Sequence, residues 1–347
     1  MVSRWQDWNP QVLAALRKGV VIPAHPLALT ADRKLDTRRQ RALTRYYLDA
    51  GAGGLAVGVH TTQFAIREAA LFQPVLELAM RSAAEWARAP AIMIAGLVGR
   101  TAQAVKEAQI ARALGYHAGL LSLATLEGAS EDELMAHAQT VARAIPLVGF
   151  YLQPAVGGLV LPVSFWRRFA AIENVVAIKV APFNRYRTLD VVRGVVEADA
   201  ADRVTLYTGN DDHIVLDLVT PFTVVANGRE RTVRIKGGLL GHWSVWVRRA
   251  VELLERIHAA IAKNEVSAEL LALDAQVTDC NAAMFDAAND FHGVIAGATK
   301  SCAARDCSKA SGASTRARRW DPDKAKRSTA SARPIRISTT TPSCARI

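Results

Sequence analysis

The sequence predicts an α/β protein of the (β/α)8 TIM-barrel class, with a small C-terminal helical appendage and a disordered tail. Strand-like and helix-like stretches alternate from residue 19 onward. The strand-like stretches are near-continuous apolar runs, which is typical of parallel strands covered on both faces. Seven βα units fit into about 200 residues, and an eighth strand can follow. An open doubly wound sheet is the other fold that fits, and the strand count favours the barrel.

The predicted strands are short apolar runs bounded by glycine, proline or polar residues. They cover residues 19–23, 54–59, 91–96, 118–123, 147–151, 175–180, 204–209 and 234–240. Prolines at 23 and 26 end the first strand, because proline cannot donate a ladder hydrogen bond. A β-hairpin with an Asn227-Gly228 turn signal is predicted at 222–233, just before the last strand.

The helices between these strands are predicted from apolar periodicity and from their start signals. They cover residues 36–50, 68–89, 101–114, 130–144, 162–172, 189–198 and 213–218. Asp36 is the predicted N-cap of the first of them, and Gly51 follows its end. Ser130 with Glu133 three residues later forms a predicted capping box.

Three regions are predicted along the chain: the barrel at 1–242, amphipathic helices at 243–298, and a basic, disordered-looking tail at 299–347. Residues 300–347 carry +9 of the formal net charge of +11, which leaves +2 for the first 299 residues. They contain no Leu, Val, Phe or Met, so they cannot bury enough surface to fold alone. A disordered extension and a reading-frame shift near residue 298 both explain the change, and both fit better than a nucleic-acid-binding arm.

Several classes of protein are disfavoured by what the sequence contains. It has no visible signal peptide and no apolar run near the ~20 residues of a membrane span, so a soluble, cytoplasmic protein without membrane partners is expected. Before residue 300 the chain has one cysteine, Cys280, which fits a reducing compartment. No dinucleotide fingerprint, phosphate loop or metal-ligand spacing is found, so no metal site is predicted.

The clearest chemical signal lies in residues 174–180, the stretch that contains the sixth strand and carries Lys179 inside an apolar run. Burying an ammonium group costs free energy and lowers its pKa, which makes the neutral amine available as a nucleophile. Lys179 is therefore the predicted Schiff-base-forming residue. A lysine whose ammonium reaches solvent from the strand end is the plain alternative.

Other polar residues follow strands at the face where barrel enzymes keep their active sites. Tyr151 ends the fifth strand and is predicted to point into one cavity with Lys179, where a phenol could shuttle protons. The predicted substrate-binding residues follow the second and seventh strands: His60, Thr61, Thr62, Gly209, Asn210 and Asp211. Helix capping or plain packing remains the alternative for each of them.

Three segments together resemble the dihydrodipicolinate synthase / N-acetylneuraminate lyase family of Schiff-base barrels. They are Val148–Pro154, Asn174–Lys179 and Thr208–Asp211, which are similar to that family's tyrosine-x-x-proline, glycine-isoleucine-lysine and glycine-x-aspartate motifs. The resemblance spans roughly residues 15–295. It implies that Lys179 forms the imine, that Tyr151 relays protons, and that the chain assembles as a homotetramer.

The chain also departs from this family's pattern. No tyrosine follows the fourth strand, where residues 124–126 read Ala-Thr-Leu. The family also places an arginine shortly after the strand-five proline, whereas residues 155–158 of this chain read Ala-Val-Gly-Gly. Lysine biosynthesis from aspartate semialdehyde is therefore poorly supported. The sequence instead favours a class I lyase or aldolase that acts on pyruvate, another 2-keto acid or an aldehyde, without a metal or organic cofactor. A non-catalytic keto-acid- or sugar-binding regulator on the same barrel remains the alternative.

Overall fold

Eight parallel strands form a nearly closed barrel, so the predicted fold class is confirmed. The computed structural model describes residues 3–226 and 228–304. The barrel strands are β1 (Val21–Pro23), β2 (Gly54–Val57), β3 (Ile92–Leu97), β4 (Ala118–Leu121), β5 (Leu147–Leu152), β6 (Val175–Ala181), β7 (Thr205–Thr208) and β10 (Ile235–Leu240). Their order is β1-β10-β7-β6-β5-β4-β3-β2. Backbone hydrogen bonds from His25 N to Ala56 O (2.8 Å) and from Gly53 N to Val21 O (3.0 Å) join β1 to β2.

Helices lie around this barrel, against its N-terminal end and beyond its last strand. They are α1 (Pro10–Lys18), α2 (Thr37–Asp49), α3 (Phe72–Trp86), α4 (Thr101–Ala113), α5 (Glu131–Ala142), α6 (Val163–Ala171), α7 (Arg185–Glu197), α8 (Ile214–Val219), α9 (Val247–Lys263), α10 (Ala268–Phe285) and α11 (Val294–Ala304). The predicted Asp36 cap and the Ser130–Glu133 capping box are both present. Helix α7 begins four residues earlier than predicted, because the Asn184 side chain accepts from Arg187 N at 3.1 Å.

Helix α1, which the sequence analysis missed, lies against the N-terminal end of the barrel. Asn9 caps it by accepting from Gln11 N at 2.8 Å. Val12 and Leu16 are buried in the same apolar cluster as the inward-facing strand residues. The hydroxyl of Tyr207 donates to Leu16 O at 2.9 Å. The sequence does carry a start signal for this helix, because the N-cap residue Asn9 is followed by proline at the first helical position.

The predicted hairpin is present as β8 (Phe222–Ala226) and β9 (Arg229–Val233), which pair with each other and not with the barrel. Gly228 in its turn has φ of +71°, a left-handed conformation that favours glycine. The hairpin packs beside α7 and leads directly into β10. It is therefore an insertion ahead of the last strand, as the Asn-Gly signal indicated.

The C-terminal helices differ in how they relate to the barrel. Helix α9 follows β10 and contacts β1, so it takes the place of the eighth barrel helix. Helices α10 and α11 pack on each other and form the appendage. Helix α11 reaches Ala304, six residues into the predicted tail. The remaining tail, residues 305–347, lies outside the described residues, so the reading-frame shift near residue 298 stays a prediction. No helix in the described ranges is long and apolar enough to cross a membrane.

Candidate active site

A cavity of about 60 Å³ lies at the C-terminal end of the barrel strands. Taking ~10–15 Å³ for each water-sized atom, it has room for roughly four to six of them. Its polar lining comes from three parts of the barrel. His60 and Thr61 follow β2, and Gln153 follows β5. Lys179 lies on β6, and Asp211 follows the neighbouring strand β7. Apolar side chains form the rest of the wall.

Lys179 projects from β6 into this cavity, as predicted from its place on the sixth strand. Its Nζ lies 4.4 Å from the centre of the Phe150 ring. Its alkyl chain passes over Gly209, where a Cβ atom would stand 2.5 Å from Lys179 Cε. A side chain at this position would therefore push the lysine out of place, which gives a physical reason for the glycine that follows β7.

The electrostatics of Lys179 favour a neutral amine more than those of an ordinary lysine. Burial lowers the pKa of its ammonium from 10.5 to about 8, and the nearby Asp211 carboxylate opposes that change. At pH 7 roughly a tenth of such an amine is neutral, against about one part in three thousand at the ordinary pKa. The nucleophilic form is thus enriched about 300-fold.

Asp211 shares the cavity with Lys179 and is held by the C-terminal part of the chain. Its carboxylate accepts from His242 N at 3.3 Å. Its backbone oxygen accepts from the Asn281 amide, whose Oδ1 lies 2.6 Å from His242 Nδ1. Burial raises the pKa of Asp211 from 3.8 to about 7, against the attraction of the Lys179 charge. Asp211 can therefore hold or release a proton near neutral pH.

Tyr151 does not point into the cavity, and the expectation that it shares one with Lys179 is wrong. Its ring packs on Trp166 in the layer between the barrel and the helices, 5.0 Å between ring centroids. Its hydroxyl donates to Leu161 O at 3.3 Å and accepts from Leu161 N at 3.2 Å. The phenol is fully buried there.

The pairing of β5 with β6 explains why this tyrosine faces outward. Phe150 is paired with Lys179, and Tyr151 is paired with Val180. Side chains alternate between the two faces of a strand, and paired residues of parallel neighbours share a face. Phe150 therefore lies inside the barrel with Lys179, and Tyr151 lies outside with Val180.

Of the three predicted substrate-binding residues after β2, His60 and Thr61 line the cavity and Thr62 does not. Thr61 lines the cavity, but its hydroxyl donates to Ala24 O at 2.8 Å. Thr62 is buried away from the cavity, where its hydroxyl donates to His25 O at 2.6 Å and accepts from Gly58 N at 3.0 Å. His60 lines the cavity, and its ring packs 5.8 Å from that of Phe64.

Asn210 lies next to the cavity without lining it. Its Oδ1 accepts from Phe183 N at 2.9 Å, and its Nδ2 donates to Asp217 Oδ2 at 2.9 Å. It is fully buried in this polar network. Its visible role is to fix the loop after β6, whose Phe183 adopts a left-handed backbone with φ of +50°.

Sequence reasoning missed two features of the cavity. Gln153, two residues after Tyr151 in the tyrosine-x-x-proline segment, lines it and was not predicted. Phe285, Phe291 and Val294, from the C-terminal appendage, cover its mouth. The rings of Phe291 and Phe183 meet edge to face, with centroids 5.2 Å apart. No local pattern signals a contact across such a long stretch of sequence.

A comparison with protein families matches residues 18–221 to the model of the dihydrodipicolinate synthetase family. Solved structures share the fold at low sequence identity. A putative dihydrodipicolinate synthetase from Pseudomonas aeruginosa is 17% identical, with a TM-score of 0.70 over 90% of this chain and 97% of that chain. The prophage protein YagE of the dihydrodipicolinic acid synthase family from E. coli K12, in complex with pyruvate, is 18% identical, with a TM-score of 0.71 over 92% and 98%.

The third structure is CdNal from Clostridium difficile, in complex with mannosamine. It is 14% identical to this chain, with a TM-score of 0.71 over 90% of this chain and 97% of that chain. No curated protein matches the sequence significantly.

Proposed function

The chain belongs to the dihydrodipicolinate synthetase family, and from this premise we propose that it is a class I lyase or aldolase in which Lys179 forms an imine with a small 2-keto acid. The observation that carries the proposal is the position of Lys179. It is a buried lysine at the cavity, and its ammonium has a pKa lowered to about 8. A neutral amine is the form that attacks a carbonyl carbon.

The chemistry follows from the imine. Lys179 Nζ adds to the keto carbon, the carbonyl oxygen leaves as water, and one proton from solvent gives the nitrogen of the imine its positive charge. That charge draws electrons from the neighbouring carbon, so a bond to it can form or break. Cleavage of an aldol, its reverse, and loss of water are the three outcomes open to such an intermediate.

The size of the cavity supports a small keto acid as the group held on Lys179. Room for roughly four to six water-sized atoms fits the three-carbon skeleton of pyruvate, and YagE, a relative with the same fold, was solved with pyruvate. Gln153 and the backbone near Thr61 line the cavity and are proposed to hold the carboxylate. The aromatic cover of Phe285 and Phe291 would restrict the second substrate to short aldehydes.

The experiment is a cleavage assay with a panel of 2-keto-3-deoxy and 4-hydroxy-2-keto acids of increasing length, in which released pyruvate is measured. The proposal expects release from at least one short member by the wild type and none by Lys179→Met. A regulator on the same barrel would form an imine or bind the acid without release. Release at an equal rate by Lys179→Met would contradict the proposed role of the lysine.

A further inference from the structure

We propose that Asp211, and not a tyrosine, is the acid–base group of this site, moving the proton between the imine-bound keto acid and the second substrate. The inference rests on the proposed imine at Lys179 and deepens it. It assigns the proton transfer that both directions of an aldol reaction require.

Few groups that can carry a proton line the cavity around the proposed imine. Among the described residues that line the cavity, those that titrate are His60, Lys179 and Asp211. Tyr151 lies on the other face of its strand, with its hydroxyl bound to the backbone of Leu161. The β5 residue that pairs with Lys179 and faces the barrel interior is Phe150, whose side chain has no proton to transfer.

Asp211 and His60 lie on different sides of the barrel relative to Lys179, as the strand order shows. Asp211 follows β7, which pairs directly with β6 and thus with the strand of Lys179. His60 follows β2, which is four strands away from β6 in the eight-stranded order and so lies across the barrel. Asp211 is therefore on the same side of the cavity as the nitrogen that would carry the imine.

Hydrogen bonds hold Asp211 in place, as a group that transfers protons requires. The Asp211 carboxylate accepts from the backbone N–H of His242, and the Asn281 amide donates to the Asp211 carbonyl. Asn281 is also bound to the His242 ring. Both side chains line the cavity, and the Asp211 charge acts directly on the Lys179 ammonium, so the two groups face the same space. Burial also raises the pKa of Asp211 to about 7. A group that both takes and gives a proton works best when its pKa is close to the working pH.

The proposed step conserves protons and electron pairs. The Asp211 carboxylate takes a proton from C3 of the imine, and the C–H pair becomes the C2=C3 double bond. The C=N pair moves to the Lys179 nitrogen and leaves a neutral enamine. C3 of the enamine then attacks an aldehyde carbon, and the aldehyde oxygen takes the proton back from the Asp211 carboxylic acid. The imine charge and the carboxylate are both restored.

The test is deuterium exchange into the methyl group of pyruvate in D2O, followed by proton NMR, which reports C3 proton transfer without a second substrate. Wild type, Asp211→Asn, Asp212→Asn, Tyr151→Phe and His60→Gln are compared, with borohydride trapping of each as a parallel readout of imine formation. Asparagine keeps the shape of Asp211 and an oxygen for the His242 N–H. Asp212→Asn makes the same chemical change one residue away. Thermal melting confirms that each variant is folded.

We expect Asp211→Asn to lose exchange by about 100-fold while it still accumulates a trapped adduct on long incubation. Tyr151→Phe and Asp212→Asn are expected to exchange within about threefold of the wild type. Exchange at the wild-type rate in Asp211→Asn, or a loss confined to Tyr151→Phe or His60→Gln, would overturn the assignment of Asp211. An absence of both adduct and exchange in the wild type would instead overturn the proposed function itself.

Discussion

Replacing Gly209 with alanine should disable Lys179 without removing it. An alanine Cβ at this position would stand 2.5 Å from Lys179 Cε, 2.8 Å from Ala181 Cβ and 3.1 Å from Lys179 Cγ. Carbon atoms in contact prefer ~3.5–4.0 Å, so the lysine chain must move by about 1 Å. Overpacking of this kind costs about 1–3 kcal/mol, and a misplacement of about 1 Å can cost a reacting group ~100-fold in rate.

The assay is the initial rate of cyanoborohydride trapping with pyruvate, measured by intact-protein mass, together with the melting temperature. We expect Gly209→Ala to trap ~10- to 100-fold more slowly while it remains folded. Gly128→Ala is the control, because Gly128 also resists substitution, with φ of +81°, but a Cβ there meets no atom within 4 Å. Wild-type trapping by Gly209→Ala, or an equal loss in Gly128→Ala, would refute the steric argument.

Three further predictions concern the amine, the cover of the cavity and the loop after β2. The trapping rate should rise with pH and level off above a midpoint near the Lys179 pKa of about 8. Asp211→Asn should shift that midpoint to lower pH, because the carboxylate raises this pKa; a rate still climbing at pH 10 would contradict the lowered value. Phe291→Ala should improve trapping of 2-oxohexanoate relative to pyruvate by about tenfold, and an unchanged ratio would exclude Phe291 as the size limit. Thr62→Val should lower stability by about 1–3 kcal/mol in denaturant unfolding, since the His25 carbonyl loses the nearer of its two hydroxyl donors and the Gly58 N–H loses its acceptor; unchanged stability would show that these bonds are dispensable.

Local patterns in the sequence were sufficient to predict the barrel. Each barrel strand is a short apolar run with breakers on both sides, and the pattern needs no knowledge of distant contacts. The strand that carries Lys179 was predicted at 175–180 and is observed as Val175–Ala181. The Asn227-Gly228 signal likewise placed the hairpin without reference to any other element.

The site could be predicted only in part, because its geometry depends on which face each strand turns inward. The family resemblance assigned Tyr151 a role, but a shift of one residue along a strand reverses the face. The pairing of Phe150 with Lys179 decides the matter, and that register is a long-range property. The cover by Phe291 is equally invisible in local sequence, since Phe183 lies more than one hundred residues before it.

The most direct test of the central claim is to reduce the protein with borohydride in the presence of pyruvate and to map the modified peptide by mass spectrometry. The proposed function predicts one reduced pyruvate on Lys179 in the wild type and no adduct in Lys179→Met. An adduct on another lysine that persists in Lys179→Met, or no adduct with pyruvate, glyoxylate or a 2-keto-3-deoxy acid, would contradict it.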